Sequence, residues 1–291
     1  MPKIVGIHGI SHQYEGSAIL TAQWLPALHG GLSAAGHRTL ADQLTPPDLT
    51  VAFFGDLFRP PGALSAADVP YTAQDLILPD EISLLTNLYE AAVDLEPALG
   101  PPHGSLGPVR VSVQHMAERV LRSRAFANQI PERLFVGDLK QVVSFLNDPN
   151  IKSRVLERVA NEVDTNTRVL IGHSLGSVVA YEYLCHRPIP GVVLITLGSP
   201  LGIRRVIFDK LTPPPIEDVG AWPGVRRWTN VADVDDFVAL RKDLSPLFPP
   251  PAATAGIADA LVDNGSNAHS AQPYLTARET GAAIAEGLQS P

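Results

Sequence analysis

The chain has 291 residues, of which 45% are apolar and 18% are charged, and its formal net charge is −8. This much apolar material can build a hydrophobic core, which excludes an intrinsically disordered chain. No Lys/Arg block is longer than a pair such as Arg204-Arg205, which argues against a nucleic-acid-binding protein.

The sequence also limits where the protein can reside. The apolar stretch at residues 4–7 is too short for a signal-peptide core, and no run approaches the roughly 18 apolar residues of a membrane helix. The single cysteine, Cys185, excludes an internal disulfide and is expected in the core. We therefore predict a cytoplasmic protein without a membrane span.

The first third of the chain predicts two strands and a helix. Residues 3–8 are apolar almost throughout, as buried parallel strands are. Apolar residues at helical spacing predict a helix over residues 17–32, and residues 49–54 predict the second strand.

Residues 59–130 show a different pattern. Pro-Pro and Gly-Pro turns separate two helical segments, near residues 73–99 and 111–126, and no strong strand interrupts them. We interpret 59–130 as a largely helical insertion that acts as a cap or a pocket wall.

Strands and helices alternate again after the insertion. This alternation predicts an α/β fold, namely one domain over residues 1–291 with a mainly parallel sheet and helices on both faces. The predicted helices cover residues 135–146, 151–163, 175–184 and 274–288, and the predicted strands cover 168–171, 192–197, 227–231 and 261–262.

The pentapeptide Gly172-His173-Ser174-Leu175-Gly176 lies between a predicted strand and a predicted helix. A G-x-S-x-G sequence in this strand–turn–helix setting predicts a nucleophile elbow, in which a strained turn exposes the serine at the carboxyl edge of the sheet. The helix that follows would favour a developing negative charge at its N-terminus. Ser174 is therefore the candidate nucleophile, whereas His173 is expected to be structural.

A serine hydroxyl needs a base, and in a triad of this type the acid and the histidine follow the serine in the chain. Two histidines follow Ser174. His186 is expected about three turns along the helix and directed away from the active edge, whereas His269 lies in a loop before the last helix. We predict His269 as the base.

Three carboxylates follow the strand predicted at residues 227–231, and any of them could orient that base. Asp236 is favoured because the apolar pair Phe237-Val238 after it can anchor its loop against the core. Asp233 is the second candidate and Asp235 the third.

An oxyanion hole needs two backbone donors. The N–H of Leu175 would be one donor, and the loop after the first strand is the expected source of the second. In that loop we choose the N–H of Ile10, and we expect His8 and Gly9 to support the loop.

Five segments together resemble the α/β-hydrolase superfamily, and more narrowly its lipase and esterase-like branch, which includes serine peptidases. They are residues 4–10, 172–176, 197–200 and 228–239, together with His269. The resemblance implies an α/β-hydrolase fold, a Ser174–Asp236–His269 triad, and oxyanion amides from Ile10 and Leu175. Residues 59–130 match no pattern of the family.

The expected activity is hydrolysis of a carboxylic ester or a related acyl compound, with a small-molecule or acyl substrate and no cofactor or metal. The same residues would serve an acyltransferase or cyclase, a thioesterase or a peptidase. A catalytically silent hydrolase fold used for binding is the alternative from another class. The sequence has no His-Glu-x-x-His motif, no phosphate-binding lysine loop and no dinucleotide fingerprint, which argues against metal and nucleotide enzymes.

Overall fold

A computed structural model describes residues 2–63, 65–100, 112–123, 131–252 and 254–289. Its strands are β1 (Ile4–Ile7), β2 (Leu49–Ala52), β3 (Val169–His173), β4 (Val193–Leu197), β5 (Arg227–Asp233) and β6 (Ala258–Val262). They form one sheet in the order β2-β1-β3-β4-β5-β6, and every pairing is parallel. The mainly parallel sheet predicted from the sequence is confirmed for this part of the chain.

Helices connect these strands. Their bounds are α1 (Ser17–Ala34), α2 (Arg38–Gln43), α3 (Pro79–Leu95), α4 (Val113–Arg122), α5 (Glu132–Asn147), α6 (Pro149–Ala160), α7 (Leu175–His186), α8 (Ala271–Thr276) and α9 (Arg278–Gln289).

The sheet separates two hydrophobic clusters, because successive side chains of a strand point to opposite faces. Ile4 and Ile171 pack on the face that α1, α8 and α9 cover. Val5 and Leu170 pack on the other face, in the cluster that contains α3, α4, α5, α6 and α7. Helices therefore cover both faces, as predicted, and the central strands are buried on both sides.

The order of the strands also indicates where a ligand can bind. β1 lies between β2 and β3, so the chain leaves β1 towards one edge of the sheet and later returns to its other side at β3. In open α/β sheets, ligands bind beyond the carboxyl ends of the strands at such a switch point. His8 and Ser174 directly follow these two ends.

The described part of residues 59–130 contains two α-helices, and both are shorter than predicted. The first predicted helix, at residues 73–99, is observed as α3. The Glu81 carboxylate accepts the N–H groups of Ile77 and Leu78 at 3.0 and 3.1 Å and so marks its start, and Pro97 follows its end. The second, at residues 111–126, is observed as α4, while residues 64, 101–111 and 124–130 lie outside the described part.

The last predicted helix, at residues 274–288, is two helices, because Ala277 is extended with ψ at 142°. Thr280 Oγ1 donates to the Tyr274 carbonyl at 2.7 Å across the break. The change of direction brings Gly281 of α9 against α1, where a Cβ would lie 2.0 Å from the Gly31 carbonyl oxygen.

Candidate active site

Ser174 occupies a tight turn between β3 and α7. Its φ of 53° and ψ of −128° form a positive-φ conformation that residues other than glycine rarely adopt. The turn is held from both sides. The Ser174 N–H donates to the Leu197 carbonyl at 3.0 Å, and Ser177 Oγ donates to the Ser174 carbonyl at 2.6 Å. Such strain persists only where the surrounding structure over-determines it.

Two glycines permit this turn to pack closely. A Cβ on Gly172 would lie 2.5 Å from the Gly176 carbonyl oxygen. A Cβ on Gly176 would lie 2.0 Å from the carbonyl oxygen of Ile7 in β1. Both distances are below any van der Waals contact, so the close approach of the elbow to β1 requires glycine at both positions.

A continuous hydrogen-bonded series starts at the Ser174 hydroxyl. His269 Nε2 lies 2.9 Å from Ser174 Oγ, and His269 Nδ1 lies 2.8 Å from Asp236 Oδ2. A neutral imidazole with its proton on Nδ1 satisfies both bonds, because Nδ1–H donates to the carboxylate and Nε2 accepts from the hydroxyl. All three side chains are buried, with exposed fractions of 2% for Ser174, 7% for His269 and 0% for Asp236.

Asp236 is held as an anion. Its Oδ1 accepts the Val238 N–H at 2.9 Å, and its Oδ2 accepts the Tyr274 hydroxyl at 2.8 Å. Burial would raise the pKa of Asp236, but the positive charge that His269 carries when protonated, its hydrogen bond and the Tyr274 bond hold it below its ordinary value. The site therefore provides an ionised acceptor for His269 Nδ1–H.

The other two candidate acids lie elsewhere. The Asp233 carboxylate accepts the Asp235 N–H at 2.7 Å and also the Asn264 N–H, so it fixes the ends of two loops. Burial raises the pKa of Asp233, with the neighbouring charges of Asp236 and Asp235 adding to the effect. Of the three carboxylates, the structure brings Asp236 to His269.

His173 lies beside the site, with its ring centroid 5.1 Å from that of His269. Its Nε2 is 2.9 Å from the His269 carbonyl oxygen, so the Nε2–H of the neutral ring donates a hydrogen bond that anchors the His269 backbone. Burial, with the neighbouring charge of His269, lowers the pKa of His173 to about 3 and keeps the ring neutral. His186 is exposed at the end of α7. Cys185 is partly buried, and burial raises its thiol pKa to about 11.

The loop after β1 contacts the serine directly. A Cβ on Gly9 would lie 2.7 Å from Ser174 Cβ. The buried His8 ring lies 2.7 Å from the Gly9 carbonyl through Nδ1, and its Nε2 accepts the Phe54 N–H at 3.1 Å. Burial, with the charge of His12 nearby, lowers the pKa of His8 to about 3, so the ring is neutral and its Nδ1–H donates to Gly9.

The two predicted oxyanion donors are available. Among the hydrogen bonds of the described residues, none engages the N–H of Ile10 or of Leu175. Leu175 is the first residue of α7, so its N–H has no partner within the helix. Ile10, Ser174 and Leu175 line one cavity together.

That cavity is narrow, with a volume of about 30 Å³. Its walls include Leu139 from α5, and Leu84 and Leu88 from α3, which lies within residues 59–130. Of the described residues that line it, only Ser174 and Asp138 are polar. An apolar wall of this kind suits a hydrocarbon group.

A second space opens on the other side of Ile10 and His269. This cleft has a volume of about 280 Å³. It is more polar, and its lining includes Ser11, Gln23 and Gln272. The candidate base lines this cleft, and Ile10 lines both the cleft and the apolar cavity.

Sequence reasoning missed two residues of this site. The Tyr274 hydroxyl donates to the Asp236 carboxylate and accepts the Asp233 N–H, both at 2.8 Å. Burial, together with the Asp236 charge, raises the pKa of Tyr274, so the hydroxyl keeps its proton and remains a donor. Asp138 lines the cavity from α5. Neither residue belongs to a motif, and only the helix periodicity around Asp138, which places a carboxylate on the apolar face, could have signalled it.

Comparison of the chain with models of known families, with curated proteins and with solved structures found no match. Among the helices of the described residues, none is both long and apolar enough to cross a bilayer.

Proposed function

We propose that the protein is a serine hydrolase of the α/β-hydrolase fold that cleaves a carboxylic ester or a related acyl compound. The observation that carries this proposal is the buried series Ser174–His269–Asp236 beside two unengaged backbone amides, at the switch point of a parallel sheet. Nucleophile, base and orienting carboxylate in mutual contact are the geometry of nucleophilic acyl transfer.

In the proposed mechanism, Ser174 Oγ attacks the ester carbonyl while its proton moves to His269 Nε2. The N–H groups of Ile10 and Leu175 receive the oxyanion, and Asp236 stabilises the imidazolium. The proton then moves to the leaving alkoxide, and an acyl-enzyme remains on Ser174. Water, deprotonated by His269, attacks that ester and releases the acid, which restores the serine.

The two spaces divide the substrate between them. The apolar cavity between α3 and α5 would take a small acyl group, because its volume of about 30 Å³ leaves no room for a long chain, and the more polar cleft beside His269 would take the leaving alcohol. This arrangement favours esters of an apolar acyl group, because only Ser174 and Asp138 among the described lining residues offer polarity to that group.

The first test is covalent labelling by a fluorophosphonate probe, together with turnover of p-nitrophenyl esters of increasing acyl length. We expect labelling of the wild type, and loss of labelling together with a turnover loss of about 10⁴-fold or more in Ser174→Ala. Ser153→Ala is the matched control, because Ser153 is exposed on α6. Equal labelling of wild type and Ser174→Ala would refute the assignment, and no labelling of the wild type would favour a silent binding protein.

A further inference from the structure

A carboxylate from a distant helix holds the loop that follows β1. Asp138 lies in α5 and is 1% exposed. Its Oδ1 accepts the Ser11 N–H at 2.8 Å, and its Oδ2 accepts the Ser11 hydroxyl. Gln13 Nε2 adds a third hydrogen bond, at 3.3 Å from Oδ1. The loop is thus fixed by a residue 127 positions away.

Ser11 needs such an anchor. Its φ is 68°, in the left-handed region that a serine seldom occupies. A non-glycine residue in this region costs of order 1–3 kcal/mol and persists only where its surroundings impose it. Two charge-assisted hydrogen bonds to one buried carboxylate supply that constraint.

The position of Ser11 links this anchor to the proposed chemistry. The peptide plane between Gly9 and Ile10 carries the Ile10 N–H, and His8 holds its carbonyl end. The next plane, between Ile10 and Ser11, is held by Asp138 through the Ser11 N–H. Side chains therefore fix the planes on both sides of the Ile10 Cα, which sets the direction of the Ile10 N–H.

The charge state of Asp138 suits this role. Burial raises its pKa to about 6, although the hydrogen bonds from Ser11 and Gln13 oppose the rise. The charge of His12 also acts to lower the pKa of Asp138, and His12 Nδ1 lies 3.2 Å from Glu15 Oε1. Near neutral pH Asp138 is an anion, and an ionised carboxylate can accept both Ser11 bonds.

We infer that Asp138 is a positioning residue that orients the Ile10 amide for the oxyanion through Ser11. This inference rests on the proposed hydrolase function. It assigns to α5 a part in the reaction that no motif indicates, and it makes the oxyanion hole depend on a contact between the loop after β1 and the helix that walls the acyl cavity.

The test compares wild type with Asp138→Asn, whose amide can accept the Ser11 N–H but cannot accept both Ser11 bonds. For p-nitrophenyl acetate we expect kcat to fall by roughly 10- to 100-fold, with KM changed by less than about threefold, since a misplaced group costs rate and not ground-state binding. Asp94→Asn is the control, because Asp94 is an exposed carboxylate on α3. The control should keep wild-type kinetics.

The affinity for phenylboronic acid provides a second measurement, which would not change if Asp138 only stabilised the fold. Ser174 Oγ adds to boron, the serine proton moves to His269, and the adduct is an anionic tetrahedral boronate like the transition state. Its inhibition constant should rise by the same factor by which kcat/KM falls in Asp138→Asn. A fall in kcat/KM without any change in boronate affinity would overturn the inference.

Amide hydrogen exchange separates this inference from the proposed function. Exchange over residues 8–13 should be faster in Asp138→Asn and unchanged in Asp94→Asn. A folded Asp138→Asn variant with wild-type exchange and wild-type kcat would overturn the inference. A wild type that hydrolyses no ester would overturn the proposed function, while faster exchange in Asp138→Asn alone would still support the anchoring of the loop.

Discussion

Asp233 and Asp236 lie three residues apart, yet the fold shifts their pKa values in opposite directions. Burial and neighbouring carboxylates raise the pKa of Asp233, whereas at Asp236 the charge of His269 and the bonds it accepts outweigh burial and lower it. Titratable neighbours whose pKa values are separated in this way mark distinct roles. Asp236 is the ionised partner of His269, and Asp233 holds loop ends.

Asp236→Asn tests this division of roles. The amide keeps the size of the side chain but removes the charge that fixes the His269 tautomer, so ester turnover should fall by about 10³- to 10⁴-fold. Asp233→Asn is the matched control, and it should cost less than about tenfold. Both variants are measured by kcat/KM after a check of Tm. A larger loss in Asp233→Asn would reassign the acid.

At the residue scale, motif and chain order predict Ser174 and His269, and the sequence favours Asp236 without excluding Asp233 and Asp235. Choosing Asp236 requires knowing which carboxylate the turn after β5 directs to His269. Tyr274 and Asp138 could not be identified, because their roles depend on contacts between segments 38 and 127 residues apart. Such contacts leave no local pattern beyond the carboxylate on the apolar face of α5.

At the scale of elements, the elbow is a packing arrangement between β1, β3 and α7. Gly176 lies against the backbone of β1, which the sheet holds on both sides and which cannot retreat. The close approach brings the Ser174 turn and the loop after β1 together, so the catalytic geometry proposed above depends on this contact.

Gly176→Ala should therefore destabilise the whole fold. Its Cβ would lie 2.0 Å from the Ile7 carbonyl oxygen, an overlap expected to cost about 3 kcal/mol and to lower Tm by roughly 5–10 °C. Gly191→Ala is the matched control, since nothing lies within 4 Å of a Cβ there. The measurement is thermal unfolding of the wild type and the two variants. Equal Tm values would show that β1 can move away from the elbow.

Prediction of the elements succeeded where burial imposes a pattern. β1, β3 and β4 are central and read as apolar runs, so the sequence located them to within two residues. β6 lies at the sheet edge and begins with Ala258 and Asp259, so only its last two residues were recognised. The break at Ala277 was missed, because it follows from the packing of α9 on α1 and not from a local helix-breaking residue.

At the scale of the whole molecule, three buried groups couple stability to pH. Burial, as the largest cause, lowers the pKa of His8 and of His173 to about 3, and it raises that of Asp138 to about 6. Below about pH 6.5 the unfolded chain binds protons on both histidines that the folded chain does not bind until about pH 3. The stability that the histidines provide is therefore complete above pH 6.5 and is lost as the pH falls towards 3.

Asp138 acts in the opposite sense, because its raised pKa makes the folded state bind its proton first. Its contribution to stability is largest below about pH 4 and is lost as the pH rises through about 6. Between neutral pH and pH 5, the two histidines together should lower the free energy of unfolding by about 4 kcal/mol, whereas Asp138 should raise it by about 1 kcal/mol. Because the histidine contribution is larger, the protein should lose stability on acidification.

We expect the free energy of unfolding in urea to fall by about 3 kcal/mol between pH 7.5 and pH 5, a large part of the stability of an ordinary domain. His173→Gln places an amide N–H near the position of Nε2, so it can still donate to the His269 carbonyl but does not titrate, and it should remove about half of the histidine contribution. His186→Gln, at an exposed position, should leave the pH dependence as it is in the wild type. If His173→Gln also keeps the full wild-type dependence, the His173 imidazole is not a cause of the loss between pH 7.5 and pH 5. Asp236 does not replace it as a cause, because its lowered pKa acts in the same direction only below about pH 5.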